Sequence, residues 1–392
     1  MTTIKDLNIT NKKVIIRCDF NVPIKDDKIV DDTRIKESLE TIKYCLKNNC
    51  KVILLSHLGR IKEKKDLEKN NLSPVAKHLS KLLNKEVLFS ETTRGKELEN
   101  IIENMNFKDV LLIQNTRYED LDGKKESGND EELGKYWASL GEIFINDAFG
   151  TAHRAHASNV GIASNLPSAI GFLIEKELKA LSILERPPHP FIVILGGAKV
   201  ADKIGVIEKL VTKADKILIG GGMAFTFLKA KGYEIGKSIL DEESIDFCKK
   251  ILKDYDAKII LPIDFAISKE YTNDQPYQEK DIENLQKDEM GLDIGSKTRK
   301  LFEENIEKAS IVMWNGPLGV YEFDKYRKST DIILKYIVEN KIKTILGGGD
   351  IVAAATTAGY KEKVYHASTG GGATLEYLEG KELPGIEIIK RK

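Results

Sequence analysis

Nine short runs of apolar residues recur along the chain and alternate with segments of helical period. The runs read KVIIRCDFN, KVILLSHLG, DVLLIQNTR, EIFINDAFG, FIVILGGAK, KILIGGG, KIILPIDFA, SIVMWNGP and KTILGGGD. Each run is apolar on both faces of a strand, which is typical of parallel sheets that are covered by helices. The alternation of strand and helix predicts two doubly wound α/β domains with parallel sheets.

Length and composition fit this prediction and narrow the class of protein. A chain of 392 residues with 41% hydrophobic residues can form two cores. Its 61 basic and 61 acidic residues cancel, so neither nucleic acid nor a membrane is an expected partner. Four cysteines without a CxxC pair fit a reducing compartment. The first 20 residues are too charged for a secretory signal, and no apolar run is long enough to span a membrane, so we expect a soluble, cytoplasmic enzyme.

Helical segments fit between the strands. Asp32 with Thr33 is predicted to cap a helix that runs through Asn48, and Ser73 to cap a helix whose first residue is Pro74. Two further stretches have a helical period, at 242–253 and 297–308.

The domain boundary is predicted at 169–186. This stretch contains GFLIEKELKALSILE, an amphipathic helical pattern that the following RPPHP ends sharply. We expect this helix, with hinges at its ends, to join a domain at 1–168 to a domain at 187–373. The acidic, polar segment 270–289 is expected to be a surface excursion.

Glycine clusters follow the strands of the second half. They read GGAK at 196–199, GGGMA at 220–224, WNGPLG at 314–319, GGGD at 347–350 and STGGGA at 368–373. A glycine cluster between a strand and a helix lets backbone N–H groups approach a phosphate without a Cβ in the way. Ligands of open α/β sheets bind at this carboxyl edge, so the second domain is predicted to bind a nucleotide.

Lys199 and Lys203 are four residues apart after the first of these clusters. If both lie on the first turn of a helix, their ammonium groups share one face and repel each other unless an anion lies between them. A phosphate site is therefore one interpretation. A tight turn with two solvated lysines is the other.

Asp350 follows the glycines at 347–349 and precedes a helix of small residues. Because Mg²⁺ usually takes one or two carboxylates together with phosphate oxygens and water, Asp350 is a candidate metal ligand. The alternative is that Asp350 only caps the helix. The glycines at 370–372 form a second helix start suited to a moving phosphoryl group.

The first half ends its strands in charged and amide side chains instead of glycines. These side chains are Asp19, Asn21, His57, Arg60, Arg117, His153, Arg154 and His156, and Arg34 opens the helix that follows the first strand. Together they predict a cationic basket for a small, multiply charged anion. For His153 with His156 the alternative is a metal pair, although no third ligand is evident. For any single arginine the alternative is a surface salt bridge.

Four other kinds of site lack support in the sequence. GYEIGKS at 232–238 resembles a phosphate-binding loop. That motif requires a first glycine, which would fall at position 231, but residue 231 is lysine. The motif also follows a strand, whereas a helical pattern precedes this segment. The chain has no GxGxxG after a strand, which argues against a dehydrogenase. It also lacks GxSxG and HExxH, which argues against serine hydrolases and zinc proteases of those kinds.

Taken in order, these blocks resemble the phosphoglycerate kinase family over essentially the whole chain. They are RCDFNVP, SHLGR, NDAFGTAHRAHAS, GGAKVADKI, GGGMAFTFL, MGLDIGSKT, WNGPLGVYE, GGGD and STGGGA. The resemblance implies a monomeric ATP:3-phosphoglycerate phosphotransferase with two Rossmann-like lobes and a hinge. It also implies that the segment 374–392 returns to the N-terminal domain.

The resemblance implies a role for each matching residue. 3-Phosphoglycerate would be held by Asp19, Asn21, Arg34, His57, Arg60, Arg117 and Arg154. The nucleotide would be held by Gly196, Ala198, Lys199, Lys203, Gly220, Leu292, Asn315, Glu322, Gly347, Gly348, Gly349 and Asp350. Among these, Glu322 would reach the ribose hydroxyls and Asp350 would hold Mg²⁺.

Three positions depart from the family pattern. Ile61 follows SHLGR where proline is usual, and the block QNTRY at 114–118 replaces ENLRF. Ile351 follows GGGD where threonine or serine is usual, which removes a hydroxyl that could contact a phosphate. This last departure is expected to weaken nucleotide binding.

The expected reaction is direct in-line transfer between MgATP and the 3-phosphoglycerate carboxylate, after hinge closure excludes water. A carboxylate is already ionised at neutral pH, so no general base is required. Catalysis then depends on positioning and charge, supplied by Arg34, Lys199 and the amides around Gly348 and Gly371. Two other classes stay open from the residues alone, a nicotinamide-dependent dehydrogenase and a two-lobed binding protein without catalysis.

Overall fold

Parallel strands alternate with helices through residues 1–390, which are the residues that the computed structural model describes. The chain divides into two units. Unit 1 contains residues 1–179 and the segment that begins at Glu382, whereas unit 2 contains residues 180–381.

Unit 1 is built from eight strands and the helices between them. The strands are β1 (Lys13–Arg17), β2 (Ile24–Lys25), β3 (Lys28–Ile29), β4 (Lys51–Leu55), β5 (Val87–Ser90), β6 (Val110–Ile113), β7 (Ile143–Asn146) and β8 (Ser168–Ile170). The helices are α1 (Thr33–Glu37), α2 (Leu39–Lys47), α3 (Lys65–Lys69), α4 (Ser73–Leu83), α5 (Lys96–Asn104), α6 (Glu131–Ser139), α7 (Ile162–Asn165) and α8 (Phe172–Ser182), which continues into unit 2.

Six of these strands form one parallel sheet in the order β5-β6-β4-β1-β7-β8. Successive side chains of a strand point to opposite faces of the sheet. Ile16 of β1 and Leu54 of β4 therefore enter one core, while Ile15 and Ile53 enter a second core with Trp137 of α6. Both faces are buried, which explains why these strands are apolar throughout.

Unit 2 repeats this architecture and adds a small antiparallel sheet. Its strands are β9 (Phe191–Leu195), β10 (Lys216–Ile219), β11 (Ile259–Ile260), β12 (Asp264–Ser268), β13 (Gln278–Asp281), β14 (Met290–Ile294), β15 (Ile311–Asn315), β16 (Thr344–Leu346) and β17 (His366–Ala367). Its helices are α9 (Ile204–Val211), α10 (Met223–Ala230), α11 (Ile245–Tyr255), α12 (Ser296–Ile306), α13 (Lys328–Glu339), α14 (Gly349–Thr357) and α15 (Gly372–Leu378). The parallel sheet has the order β11-β10-β9-β15-β16-β17, and the antiparallel sheet has the order β13-β12-β14.

The C-terminal helix α16 (Pro384–Lys390) packs within unit 1. The Asn146 side-chain amide donates a 2.8 Å hydrogen bond to the carbonyl of Gly385, and the Gly385 N–H donates a 2.9 Å bond to the carbonyl of Ala152. At the other end of the chain, Thr3 forms a parallel bridge with Ile170 of β8. Unit 1 therefore contains both the first residues and the last described residues.

The predicted fold class of two doubly wound parallel-sheet domains is confirmed, and each of the nine runs contains a strand. KIILPIDFA behaves differently from the other eight, because Pro262 has no N–H to donate and separates β11 of the parallel sheet from β12 of the antiparallel sheet. The sequence prediction missed β5, β8 and β17, which are short edge strands. It also missed β13, which lies within the predicted surface excursion 270–289.

Two helix predictions were wrong in detail. The helix from Asp32 to Asn48 is interrupted at Ser38, which ends α1 and begins α2, and the Asp32 side chain makes no capping bond. Ser73 is the first residue of α4 and not its cap; the Asn71 side chain accepts the Ser73 N–H at 2.7 Å instead. The helices predicted at 242–253 and 297–308 correspond to α11, preceded by a 3₁₀ turn, and to α12.

The stretch predicted to connect the domains contains α8, which a 3₁₀ turn at Ile183–Glu185 extends. The division between the two units falls inside α8, after Lys179. Within residues 1–390, none of the helices combines the length and the apolar character that a membrane span needs.

Candidate active-site regions

Unit 1 has a cleft of about 720 Å³ with a strongly cationic wall. We call it the anion cleft; it is lined by Arg60, Ile61, Lys62, Arg117, Asp120, Leu121, Gly123, Lys124, Ser127 and Arg154. Five of these side chains are basic and one is acidic. Three arginines predicted from the sequence, Arg60, Arg117 and Arg154, therefore lie together although they follow different strands.

The other predicted anion-binding residues do not line this cleft, but hydrogen bonds hold them in place. Arg34 at the start of α1 forms a 2.7 Å ion pair with Asp19, which follows β1. The Asn21 side chain accepts the N–H of Gly59 at 2.9 Å, next to Arg60 in the chain. His57 is only 8% exposed. These contacts arrange the loops after β1 and β4 before any ligand binds.

The histidines of this region do not supply its positive charge. Burial lowers the pKa of His57 well below its usual value, and the nearby Arg17 and Arg117 lower it further. Burial and the same arginines lower the pKa of His156 to about 3. The sequence prediction counted these histidines in a cationic basket; both are neutral at pH 7, because a further charge among buried arginines is unfavourable. Within residues 1–390, no cluster of three or more potential ligands would support a metal pair at His153 and His156.

Asn115 joins two of the loops that carry candidate residues, a role that the sequence analysis missed. Its buried side chain accepts the N–H groups of Leu58 at 3.1 Å and Arg117 at 3.0 Å. It also donates to the carbonyls of Leu58 at 2.7 Å and Asn70 at 2.9 Å. All the hydrogen-bonding capacity of one amide therefore fixes the loop after β4 against the turn that bears Arg117.

Arg17 is a second residue that the sequence analysis missed. It ends β1, is fully buried, and makes an Nη2···Nδ1 contact of 3.3 Å with His57. The signal in the sequence was an arginine at the end of the apolar run KVIIR, because arginine is almost never fully buried without a partner.

Unit 2 has a pocket of about 470 Å³ with mostly backbone and apolar walls. We call it the glycine pocket; it is lined by Gly197, Ala198, Gly221, Gly222, Phe225, Lys237, Ile239, Phe265, Tyr271, Met290, Gly291, Leu292, Asp293, Pro317, Leu318, Gly319, Val320, Glu322 and Asp350. Four residues predicted to contact the nucleotide line it: Ala198, Leu292, Glu322 and Asp350. The other predicted residues do not line it, although Gly196 packs against Pro317, which does.

Two glycines show why this pocket needs residues without side chains. A Cβ on Gly196 would lie 2.0 Å from the carbonyl oxygen of Pro317. Gly221 has φ +64°, and a Cβ there would lie 2.6 Å from the backbone nitrogen of Gly197. The turns after β9, β10 and β15 therefore pack backbone against backbone. Backbone hydrogen bonds made by Gly220 and Asn315, at the ends of β10 and β15, are part of this packing.

Lys199 and Lys203 do not share a helix face, so that part of the prediction was wrong. A 3₁₀ turn at Ala201–Lys203 comes between the strand and α9, and Lys199 is exposed in the loop before it. Lys203 is buried at the start of α9, and its ammonium donates to the Asn315 side chain. Burial lowers the pKa of Lys203 to about 8, although the negative charge of Asp350 opposes this shift.

Asp350 is the second residue of α14, whose cap is Gly348 with φ 108°. The alternative that Asp350 only caps the helix is therefore wrong, and Asp350 lines the glycine pocket. Gly347 accepts a hydrogen bond from the Asn315 side chain, and Gly349 begins the helix. Gly371 caps α15 in the same left-handed region, with φ 52°.

The three departures from the family pattern have different surroundings. Ile61 is nearly buried and lines the anion cleft. In the block at 114–118, the Gln114 side chain accepts the N–H of Leu72 at 3.0 Å. Ile351 is fully buried.

Comparison with known proteins settles the family. The model of the phosphoglycerate kinase family matches residues 4–381. A relative named phosphoglycerate kinase from Listeria welshimeri is 55% identical over 391 residues, 99% of each chain. Another from Enterococcus faecalis is 54% identical over 393 residues, 100% of this chain and 99% of the relative. The chain belongs to the phosphoglycerate kinase family.

Solved structures agree with this assignment. The phosphoglycerate kinase of Coxiella burnetii has a TM-score of 0.87 and 36% identity, and the match covers 99% of this chain and 98% of that one. The enzyme of Pyrococcus horikoshii OT3 has a TM-score of 0.87 and 31% identity, over 100% and 98%. The resemblance and the Rossmann-like fold expected from the sequence are thus confirmed.

The chain is an ATP:3-phosphoglycerate phosphotransferase. It transfers a phosphoryl group reversibly between 1,3-bisphosphoglycerate and ADP, giving 3-phosphoglycerate and ATP in glycolysis. The dehydrogenase and the binding protein without catalysis are therefore wrong.

Proposed function

We propose that the two substrates of this reaction bind in separate units. 3-Phosphoglycerate would bind unit 1 through the residues predicted from the sequence, Asp19, Asn21, Arg34, His57, Arg60, Arg117 and Arg154. The nucleotide would bind the glycine pocket of unit 2 and the residues beside it. The contrast between a cleft with five basic side chains and a pocket with glycine turns supports this division, because the first suits a small polyanion and the second admits a phosphate close to backbone amides.

The residues would act by positioning and neutralising charge. The attacking carboxylate of 3-phosphoglycerate is ionised at neutral pH, so in-line transfer needs no proton acceptor. Arg34, Lys199 and the amides around Gly348 and Gly371 would surround the transferring group. The Arg34–Asp19 ion pair supports this role, since it holds the guanidinium in a defined orientation.

Asp350 would hold the Mg²⁺ that accompanies the nucleotide. Its carboxylate lines the glycine pocket and is exposed near the start of α14. One carboxylate fits this metal, because phosphate oxygens and water complete its coordination shell. When bound, the ion would neutralise charge on the nucleotide phosphates. Burial lowers the pKa of the Lys203 ammonium and the negative charge of Asp350 opposes this shift, which supports a role for both residues at the nucleotide phosphates.

Because the two candidate sites belong to different units, we propose that the units close on each other when both substrates are bound. Small-angle scattering should then show a smaller radius of gyration with both ligands than with either alone. An unchanged radius at saturation would contradict closure. The enzyme would act as a monomer in the cytoplasm, and sedimentation of the ligated protein would test the first of these statements.

The assignment of one substrate to each unit is tested by a crossed binding experiment. In titration calorimetry, Arg117→Ala should weaken 3-phosphoglycerate binding and leave MgADP binding unchanged. Asp350→Asn should do the reverse. If either variant lost both ligands while keeping its fold, or lost the wrong one, the division between the units would be incorrect.

A further inference from the structure

Arg17 lies at the centre of a buried chain of hydrogen bonds in unit 1. Its Nε donates to the hydroxyl of Ser158 at 2.7 Å, and one terminal nitrogen donates to the carbonyl of Cys18. The Ser158 hydroxyl in turn donates to a carboxylate oxygen of Glu126. Arg17, Glu126 and Ser158 are all fully buried.

Glu126 holds Ser158, and through it Arg17, in place. One of its oxygens accepts the Ser158 hydroxyl and the other accepts the Ser158 N–H at 2.9 Å. An ionised carboxylate accepts at both oxygens, and its charge lies 3.9 Å from Arg17 Nη2. The main-chain carbonyl of Glu126 also accepts the N–H of Ala157 at 3.0 Å. Two segments far apart in sequence thus clamp the guanidinium.

The second terminal nitrogen of Arg17 faces His57 Nδ1 at 3.3 Å. A guanidinium has donors and no acceptor, so this contact is a hydrogen bond only if His57 Nδ1 carries no proton. His57 is neutral, because burial and surrounding arginines lower its pKa. A neutral imidazole without a proton on Nδ1 must carry it on Nε2.

We propose that Arg17, braced by Ser158 and Glu126, is a positioning residue that fixes His57 as the neutral Nε2–H tautomer. His57 would then present one hydrogen-bond donor without adding a charge. The arginines would supply the positive charge that an anionic substrate needs, and the His57 Nε2–H would orient the substrate through one hydrogen bond. The consequence for 3-phosphoglycerate rests on the proposed function of His57, whereas the tautomer itself does not.

The tautomer can be measured without substrate. The chain has six histidines, so nitrogen-15 spectra of protein labelled at histidine are simple enough to assign. The His57 signals are those that disappear in His57→Gln. In the wild type at pH 7 we expect a bare Nδ1 and a protonated Nε2. A proton on Nδ1, or on both nitrogens, would overturn the proposal.

Two variants test whether Arg17 and its brace set the tautomer. Arg17→Lys removes the planar donor, and Ser158→Ala removes the link to Glu126 with less risk to folding. Both should convert a single tautomer into a mixture. Ser164→Ala is the matched control, because this serine is exposed and its hydroxyl donates to the carbonyl of Val160 at 2.8 Å, within its own turn. If Ser158→Ala and every folded Arg17 variant kept the pure Nε2–H form, the brace would have no such role.

Two replacements of His57 connect the tautomer to substrate binding. Glutamine can place an amide N–H near the position of Nε2, whereas asparagine places it near Nδ1, where Arg17 already donates. We expect His57→Gln to have a lower KM for 3-phosphoglycerate than His57→Asn, by roughly tenfold, which is the size of one hydrogen bond to a charged group. A lower KM for His57→Asn would contradict the proposal. If the spectra show Nε2–H but both variants bind like wild type, the tautomer stands and the substrate role of His57 fails.

Discussion

The two units build the same parallel sheet and equip its carboxyl edge in opposite ways. In unit 1 the strands are followed by charged side chains, such as Asp19 after β1 and Arg117 after β6. In unit 2 they are followed by glycines, such as Gly196 after β9 and Gly221 after β10. One scaffold therefore supports anion recognition either by guanidinium groups or by bare peptide nitrogens. The first depends on which side chain is present, and the second on the absence of one.

This difference extends to the way that each site is held in place. The cations of unit 1 depend on partners below the surface, such as Asp19 for Arg34 and Asn115 for the loop of Arg117. The turns of unit 2 hold each other directly, since the N–H of Gly221 donates to Leu318 and that of Gly197 to Pro317. We therefore expect substitutions in unit 1 to affect activity first, and substitutions at the glycine turns of unit 2 to affect stability first.

The largest effect is expected for Arg34→Ala, which removes a charge-stabilising group from unit 1. Losing such a group costs about 3–4 kcal/mol of barrier, roughly a hundred- to thousandfold in kcat. Lys36→Ala is the control on the same helix, because Lys36 is exposed and its ion pair is with Asp32. Turnover is measured as ATP consumed with 3-phosphoglycerate. A kcat for Arg34→Ala near that of the control would remove Arg34 from the mechanism.

Gly196→Ala should reduce stability more than activity, which tests the other half of the comparison. The new Cβ would lie 2.0 Å from a backbone oxygen, so the turns must move apart. Such overpacking costs about 1–3 kcal/mol of unfolding free energy. Gly349→Ala is the control, since among residues 1–390 a Cβ there would meet no atom within 4 Å beyond its own chain neighbours and helix backbone. Urea unfolding at constant slope compares the two. Equal midpoints would show that the turn tolerates a side chain.

Lys203 gives unit 2 a dependence on pH that the arginines of unit 1 do not have. Its pKa is about 8 in the folded protein, so kcat/KM for the nucleotide should fall about tenfold per pH unit once the pH exceeds that value. The effect on stability has the opposite sign. The unfolded chain binds the Lys203 proton more tightly than the folded protein does, so the free energy of unfolding increases as the pH rises from about 8 to 10.5.

Lys203→Arg separates this group from others that titrate in the same range. Arginine keeps its charge at every accessible pH, so the fall in kcat/KM above pH 8 should disappear. Lys229→Arg is the matched control for an exposed lysine and should keep the wild-type profile. A profile that falls equally in both variants would assign the titration to another group.

The smallest effect is expected for Ile351→Thr, which restores the hydroxyl usual in the family. The sequence alone suggested that Ile351 weakens nucleotide binding. Its side chain is fully buried and does not line the glycine pocket. We expect the nucleotide KM to stay as in wild type while the urea midpoint falls, because a hydroxyl enters an apolar site. A clear drop in KM would restore the original expectation.

The sequence was sufficient for features that depend on local pattern. Ile15 and Ile16 of β1 indicated a strand buried on both faces, and Gly221 indicated a turn that admits no side chain. It was insufficient where partners are distant in the chain. Glu126 and Arg17 are 109 positions apart by their numbers, so nothing local connects them. Lys203 was misplaced for another reason, since a 3₁₀ turn in place of an α-helical one rotates every following residue.

The packing of α16 on unit 1 has a consequence for biosynthesis. A ribosome synthesises residues in order, so the segment that begins at Glu382 is made only after positions 180–381. Residues 1–179 therefore leave the ribosome well before the helix that completes their unit. Until Gly385 leaves the ribosome, the Asn146 amide and the Ala152 carbonyl lack their partner. Unit 1 is therefore begun first and completed last.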